Sequence, residues 1–494
     1  MQPIRGEFYN VALVILSVAD RCVADTERPG RRTRTTTEMI PEDILLEIFD
    51  FYRLNAMKRT NGWPWKWHRL AHVCRKWRLV ISLSPRRLDL QIHCKYGATI
   101  ERILASWGTL PLFVRFNGGP NSKLLPKNIT TALRHPDRVR EINLSLTSTT
   151  VGLVVDAMKK PFQILERIRI KIKGTKGPSL PFRDVFLGGS APRLRLISLD
   201  GINFPFLEIK QIISSTNNLV ELCLSRIPKT GYFSADALIT ALSTSAQLKR
   251  LQVSFHYPAS LSTQSKTNRP LQRTTFPSLR YLKFHGASEY LEEFLSRVDL
   301  PSLRNMDIKF FNQIFFEIPE FCRSVPPLNP FRSLNEVVIN LGDTGVSMDF
   351  KGVTKHGTRS GGCYLNCFCE RLDWQLSFMT QVSSQLSPLL KSVDKLFVIV
   401  FRDKMPSGEE DVDSIQWLEL LQPFTRVRKL CVCGDDQFVR DIGQALVTEE
   451  MATEVLLELT QFSVLGRHEP AVVEAVKQFV AARKLSGRTI HFSM

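Results

Sequence analysis

The sequence predicts an α/β protein: a short N-terminal helical module followed by a curved solenoid whose parallel strands line the concave face. Three observations carry that expectation. One apolar phrase recurs eleven times between residues 139 and 464, a compact tryptophan-rich helical stretch precedes it, and no glycine-rich phosphate loop follows any predicted strand. The last point separates a repeat array from a doubly wound α/β sheet, whose strands also alternate with helices.

At 494 residues and 43% hydrophobic content, the chain can bury a large core. The expected organisation is a leader over 1–37, a helical module over 38–90, a connecting segment over 91–138 and the repeats over 139–494. The apolar run from Phe8 to Ala19 falls short of the about 20 residues a membrane span needs. It also ends at Asp20 without the small-residue site of a secretory signal.

In the module, Pro41 stands in the first turn of a helix over Ile40–Phe49, with Glu42 and Asp43 where the helix dipole favours acids. Ile44, Leu45 and Ile48 fall on one face. After Trp63, Trp65 and Trp67, the spacing of Leu70, Val73, Cys74 and Trp77 predicts a second helix over Leu70–Arg78. Helices this short leave surplus apolar surface for the repeats or for a partner.

The recurrent phrase is apolar-x-x-apolar-x-apolar. Examples are Leu165…Ile168…Ile170, Leu194…Ile197…Leu199, Leu248…Leu251…Val253, Leu279…Leu282…Phe284 and Val427…Leu430…Val432. Its closing alternation marks a short strand with one buried face, and helical stretches such as Ser234–Leu242, with Ser234 as N-cap, come after it. Successive copies start 24 to 34 residues apart, the range of leucine-rich repeats or just above it. A single gap of 59 residues predicts a hidden repeat near 363–376, around Cys369–Trp374. Prolines 192, 277 and 301 each stand two residues ahead of a repeat leucine, where a missing amide does no harm. Residues 255–275 and the glycine-rich stretch 342–362 read as surface excursions.

Most of the ten cysteines sit singly in apolar runs, as reduced structural thiols do. Cys363, Cys367, Cys369, Cys431 and Cys433 lack metal-site spacing. The histidines are scattered, and no P-loop, H-E-x-x-H or G-x-S-x-G motif occurs. No catalytic residue, metal or cofactor is expected, and the chain is not expected to be an enzyme.

Ile40-Pro41-x-x-Ile44-Leu45-x-x-Ile48-Phe49, followed by Val73-Cys74-Arg75-Lys76-Trp77-Arg78, resembles an F-box. The chain is similar to the F-box-like proteins with degenerate leucine-rich repeats found in mushroom-forming fungi. Ser84–Leu90, Glu370–Leu376, Gln416–Leu421 and Phe479–Arg483 carry further likeness. The resemblance implies a cytoplasmic or nuclear substrate receptor of a Skp–cullin–F-box type ubiquitin ligase. Pro41, Ile44, Leu45, Ile48, Phe49, Val73 and Trp77 would then contact a Skp-type adaptor. The same residues would also suit a cap on the open end of a solenoid.

Substrate contacts are expected at the outward strand positions Arg167, Arg169, Lys171, Glu221, Arg250, Gln252, Tyr281, Lys283, His285, Asn305, Asp307 and Lys309. Several are basic, which favours an acidic or phosphorylated protein. The net charge of +18 is uneven: residues 1–140 hold 24 basic and 12 acidic side chains, 141–310 hold 23 and 13, and 311–494 hold 19 and 23. That asymmetry keeps a second reading open, a repeat scaffold or basic nucleic-acid-associated binder with a vestigial F-box.

Overall fold

The computed structural model describes residues 40–59, 70–84, 88, 92–94, 101, 104–105, 110–117, 127–174, 186–203, 205–256, 273–324, 334–353, 359–401, 414–448, 455–466, 470–485 and 487–493. The expected leader, the three clustered tryptophans and most of the 255–275 loop lie outside the described residues. The chain divides into two compact units, residues 1–116 with 126–142, and residues 117–125 with 143–494.

The first unit holds helices α1 (Glu42–Arg59) and α2 (Arg75–Leu83), strands β1 (Ile92–Cys94) and β2 (Leu112–Asn117), helix α3 (Lys127–Leu133) and the start of β3 (Val139–Leu146). Leu45, Ile48 and Phe49 of α1 are buried, and Phe49 meets Trp77 of α2 edge-on with ring centroids 4.9 Å apart. The predicted helix Leu70–Arg78 is broken. Residues 72–73 turn, and Cys74 becomes the extended N-cap of α2, its Sγ accepting the Trp77 amide at 3.5 Å. Cys74 is therefore a half-buried capping residue rather than part of an apolar helix face, because a helix start needs an acceptor for its free amides.

The second unit repeats strand, loop and helix. Its strands are the end of β3, then β4 (Arg167–Ile172), β5 (Leu196–Asp200), β6 (Glu221–Ile227), β7 (Arg250–Phe255), β8 (Thr274–Thr275), β9 (Tyr281–Gly286), β10 (Val298–Asp299) and β11 (Asn305–Phe310). They continue as β12 (Leu334–Gly342), β13 (Gly345–Val353), β14 (Arg359–Cys367), β15 (Lys395–Phe401), β16 (Lys429–Cys433), β17 (Gln461–Leu465) and β18 (His491–Ser493). Helices α4 (Ser148–Ala157), α5 (Phe206–Ser215), α6 (Ala235–Leu242), α7 (Ser288–Ser296), α8 (Pro319–Ser324), α9 (Leu372–Gln385), α10 (Ser387–Leu390), α11 (Ser414–Leu421), α12 (Asp436–Thr448) and α13 (Pro470–Leu485) connect them. Ser234 caps α6 as expected, accepting the Ala237 amide at 3.2 Å.

The phrase residues share one local construction. The first apolar residue sits in a turn ahead of the strand, its amide donating three residues back, as Leu194 does to Ala191 and Leu279 to Phe276. The carbonyl of the next residue then accepts two successive amides from the following unit. Glu166 accepts Arg195 and Leu196, Val220 accepts Lys249 and Arg250, and Lys249 accepts Arg280 and Tyr281. The strand begins only at that point, and its alternation buries Leu251 and Val253, Leu282 and Phe284, and Met306 and Ile308.

From β4 the sheet order is β4-β5-β6-β7-β9-β11-β14-β13-β12-β15-β16-β17-β18. In its described residues the glycine-rich stretch 342–362 is thus strand, not a surface excursion. Gly342 and Gly345 flank a tight turn between β12 and β13, and β13 runs antiparallel to both β12 and β14. β14 then pairs in parallel with β11, and β12 pairs in parallel with β15. The hidden repeat is likewise corrected. Its strand is β14, and the phrase Cys369–Trp374 forms the turn and first residues of α9. Glycine density suggested loop, yet strand pairing overrides it where Val346, Met348 and Phe350 can be buried.

Register gives a stability contrast. Leu251→Ala is expected to cost about 2–5 kcal/mol by cavity formation, whereas Gln252→Ala, which loses a 2.8 Å bond to Ser225 Oγ, costs about 1 kcal/mol or less. Urea denaturation of the two variants measures the difference. A second expectation concerns Glu292 of α7, whose carboxylate accepts the amides of Glu320 at 2.6 Å and Phe321 at 2.9 Å at the start of α8. Burial pushes its carboxyl up to about 7 against the opposing pull of those amides. The folded state therefore holds this proton more tightly than the unfolded chain from pH 4.5 to 7, and its contribution to stability is lost as pH rises through that window. Glu292→Gln should flatten that part of the pH profile, read from urea midpoints between about pH 4.5 and 8.

Candidate interaction site on the open face of the sheet

The residues that alternate with the core point out of the opposite face of β7, β9 and β11. Parallel register aligns them in three rows: Arg250–Tyr281–Asn305, Gln252–Lys283–Asp307 and Ser254–His285–Lys309. β14 extends the rows with Gly362, Tyr364 and Asn366.

In the first row the Arg250 guanidinium lies 4.3 Å from the Tyr281 ring centroid, a cation–π arrangement, and the Gly362 amide donates to Asn305 Oδ1 at 3.0 Å. In the second, Lys283 donates to Asp307 Oδ2, and the Tyr281 hydroxyl donates to the same oxygen at 3.4 Å. Burial pulls the Lys283 ammonium down, but its hydrogen bond to Asp307 and that carboxylate's charge outweigh it and leave the group above its ordinary value.

In the third row His285 Nδ1 and Ser254 Oγ are 3.2 Å apart in a hydrogen bond. The imidazole packs 4.8 Å from the Phe311 ring and 5.8 Å from that of Phe368. Lys309 Nζ sits 3.1 Å from the Phe368 centroid. Burial, then the charges of Lys309 and Lys283, push His285 down to about 4. Burial and Lys283 also lower Lys309. Among the described residues, no carboxylate lies within ion-pair distance of Arg250 or Lys309.

The predicted substrate residues thus divide. Arg250, Tyr281, Lys283, His285, Asp307 and Lys309 form one contiguous cluster. Arg167, Arg169 and Lys171 stand on β4, separated from β7 by β5 and β6. There Lys171 Nζ is 3.7 Å from Asp200, a carboxylate that also takes Arg226 Nε at 2.5 Å. Sequence reasoning missed Tyr364 and Phe368 by leaving β14 out of the sheet, although Cys363-x-Leu365-x-Cys367 carries the strand alternation. These three buried residues and Cys369 are core thiols or packing groups, while Cys431 and Cys433 lie half-buried on the open side of β16. Among the described residues, no group of three or more His, Cys, Asp or Glu side chains is placed to hold a metal.

In the first unit, Leu45, Ile48, Phe49 and Trp77 are buried, Val73 is half-buried, and Pro41 and Ile44 are exposed. Leu79 and Leu83 of α2 are exposed as well.

No family model matches the chain, and no curated protein matches it. Among solved structures, the leucine-rich repeat-containing protein LegL7 from Legionella pneumophila is similar at 11% identity, over 81% of this chain and 99% of that chain, with a TM-score of 0.26. The repeat character of this chain rests on its own register: β3–β7, β9, β11, β12 and β15–β17 each carry one copy of the apolar phrase, and β4, β5, β6, β7, β9 and β11 pair in parallel in that order. No described helix is long and apolar enough to cross a membrane.

The low proton affinity of His285 has a measurable consequence. The unfolded chain takes up this proton near pH 6.5, before the folded state does, so stability is lost as pH falls from 6.5 towards 4. With the ring only partly screened from solvent, the loss is on the order of 1–2 kcal/mol. His285→Gln should remove it, seen as a smaller drop in urea midpoint between about pH 7 and 4.5.

Proposed function

We propose that the chain is a non-catalytic, cytoplasmic or nuclear substrate receptor of a Skp–cullin–F-box type ubiquitin ligase. In this reading the open face over β7–β14 holds a protein substrate, and the N-terminal helices dock on a Skp-type adaptor. The observation that carries the substrate half is the pairing pattern of the open face. Among the described residues Arg250 and Lys309 have no carboxylate partner and lie against aromatic rings, while Lys283 is neutralised by Asp307. Accessible cations backed by rings suit carboxylate or phosphate groups of a protein. Interleaved carboxylates at Asp200 and Asp307 make the face a patterned surface, unlike the uniform basic track that phosphate backbones favour.

The adaptor half rests on the F-box resemblance and on the outward placement of Pro41 and Ile44. Leu45, Ile48, Phe49 and Trp77 then serve by holding α1 and α2 together, so that the exposed edge is rigid. Such a receptor accelerates ubiquitin transfer by raising the effective concentration of substrate lysines near a charged conjugating enzyme.

Co-purification of a Skp-type adaptor with the full chain tests the ligase half. Ile44→Asp should reduce recovery about tenfold or more, as expected for an interface hot spot, with an unchanged unfolding midpoint because Ile44 is already exposed. Absence of adaptor from the intact chain would leave an interaction scaffold without a ligase role.

A further inference from the structure

β11 and β14 lie side by side and parallel, yet the chain leaves them along different routes. After β11 it crosses by way of α8 to β12, three positions along the sheet, while after β14 it turns directly into α9. In an open parallel sheet, such a divergence at the carboxyl ends of neighbouring strands leaves a crevice between the departing segments. One opens here, with a volume of about 440 Å³. Its walls include Asn312 after β11, Thr344 in the β12–β13 turn, and Phe368, Glu370, Arg371 and Trp374 around the start of α9. It is an open groove rather than an enclosed cavity, suited to one side chain of a larger ligand.

Two large rings stand exposed among polar walls. Phe368 is 44% exposed and Trp374 is 42% exposed. Further exposed apolar side chains lie on the preceding connection. Ile314 and Phe315, still more exposed, stand on the segment that leaves β11, and Gln381 of α9 fixes that segment by accepting the Phe316 amide at 3.0 Å and donating to the Ile314 carbonyl at 3.1 Å. Gln381 lies two turns along α9 from Trp374, on the same side of the helix. The segment carrying Ile314 and Phe315 is therefore held on α9 by paired backbone groups.

One ring joins this crevice to the charged face. Phe368 lines the crevice, and its π-face also carries Lys309 Nζ at 3.1 Å. We propose that the crevice binds a large apolar side chain of an extended acidic peptide, whose neighbouring carboxylates reach Lys309. Charge complementarity selects that occupant: Lys309, which has no carboxylate partner among the described residues, sits on the ring that walls the crevice. An extended residue advances about 3.3 Å, so the acidic residues should come within one to three positions of the anchor. The proposal rests on reading the open face as protein-binding, and it adds the class of segment bound and the residue that anchors it.

Panning a random twelve-residue peptide display library on the full chain tests this directly. Enriched peptides should carry Phe, Trp or Leu within three positions of at least two Asp or Glu residues. For a synthetic copy of the most enriched peptide, followed by fluorescence anisotropy, Trp374→Ala should weaken binding about tenfold, the loss typical of an aromatic anchor. Lys309→Ala should weaken it several-fold and reduce its salt dependence. Asn312→Trp, which fills the crevice from its rim, should block binding without altering the unfolding midpoint, so that a misfolded Trp374 variant cannot mimic the result. Enrichment of apolar peptides without acids, of acidic peptides without an apolar anchor, or of none, overturns the proposal, as does binding indifferent to Asn312→Trp. Adaptor recovery is read on the other unit of the chain, so either result can fail while the other stands.

Discussion

The interaction on which the repeat architecture depends is a backbone one: a carbonyl just ahead of each strand that accepts two successive amides from the next unit. It appears at Glu166, Arg195, Val220, Lys249 and Arg280, and again at Asp394 and Arg428. Because the bond involves no side chain, the residues that provide it vary freely in chemistry. Because it precedes the strand, it sets the register of the whole strand. A slip of one residue would turn Leu251 and Val253 outward and bring Arg250 and Gln252 into the core, at a cost of several kcal/mol of lost burial and desolvated charge.

The open face inherits its chemistry from that register. Arg250, Tyr281 and Asn305 become neighbours, as do Lys283 and Asp307, although each pair is separated by more than twenty residues of chain. Neighbouring positions then decide which charges are neutralised and which remain. Asp307 takes Lys283 and the Tyr281 hydroxyl, while Lys309, one step along the same strand face, meets the ring of Phe368. His285, enclosed between Phe311 and Phe368 and facing two ammonium groups, stays uncharged at neutral pH. The arrangement concentrates accessible positive charge at few points and surrounds them with aromatic surface.

Among the described strands of the second unit, β13 breaks the parallel pairing by running antiparallel to both neighbours. It sends β12 three places along the sheet and returns β14 to the side of β11, which separates the connections leaving those two strands. The groove between them stays open, and Phe368 and Trp374 stand half-exposed at its rim.

The sequence by itself determined the unit: which residues of each phrase are buried, where strands fall, and that Ser234 caps a helix. These are local matters, because alternation and capping are settled among residues a few positions apart. It also marked Arg250, Lys283 and Lys309 as outward. Only the tertiary structure decided the rest. Glycines 342, 345 and 362 resemble loop residues until partner strands supply hydrogen bonds, and the helix expected over Leu70–Arg78 breaks because Cys74 caps the helix that starts at Arg75. The union of Lys309 with Phe368, and the crevice beside Trp374, depend on β14 lying next to β11. Strand order is fixed by pairing between distant segments, which no local pattern encodes.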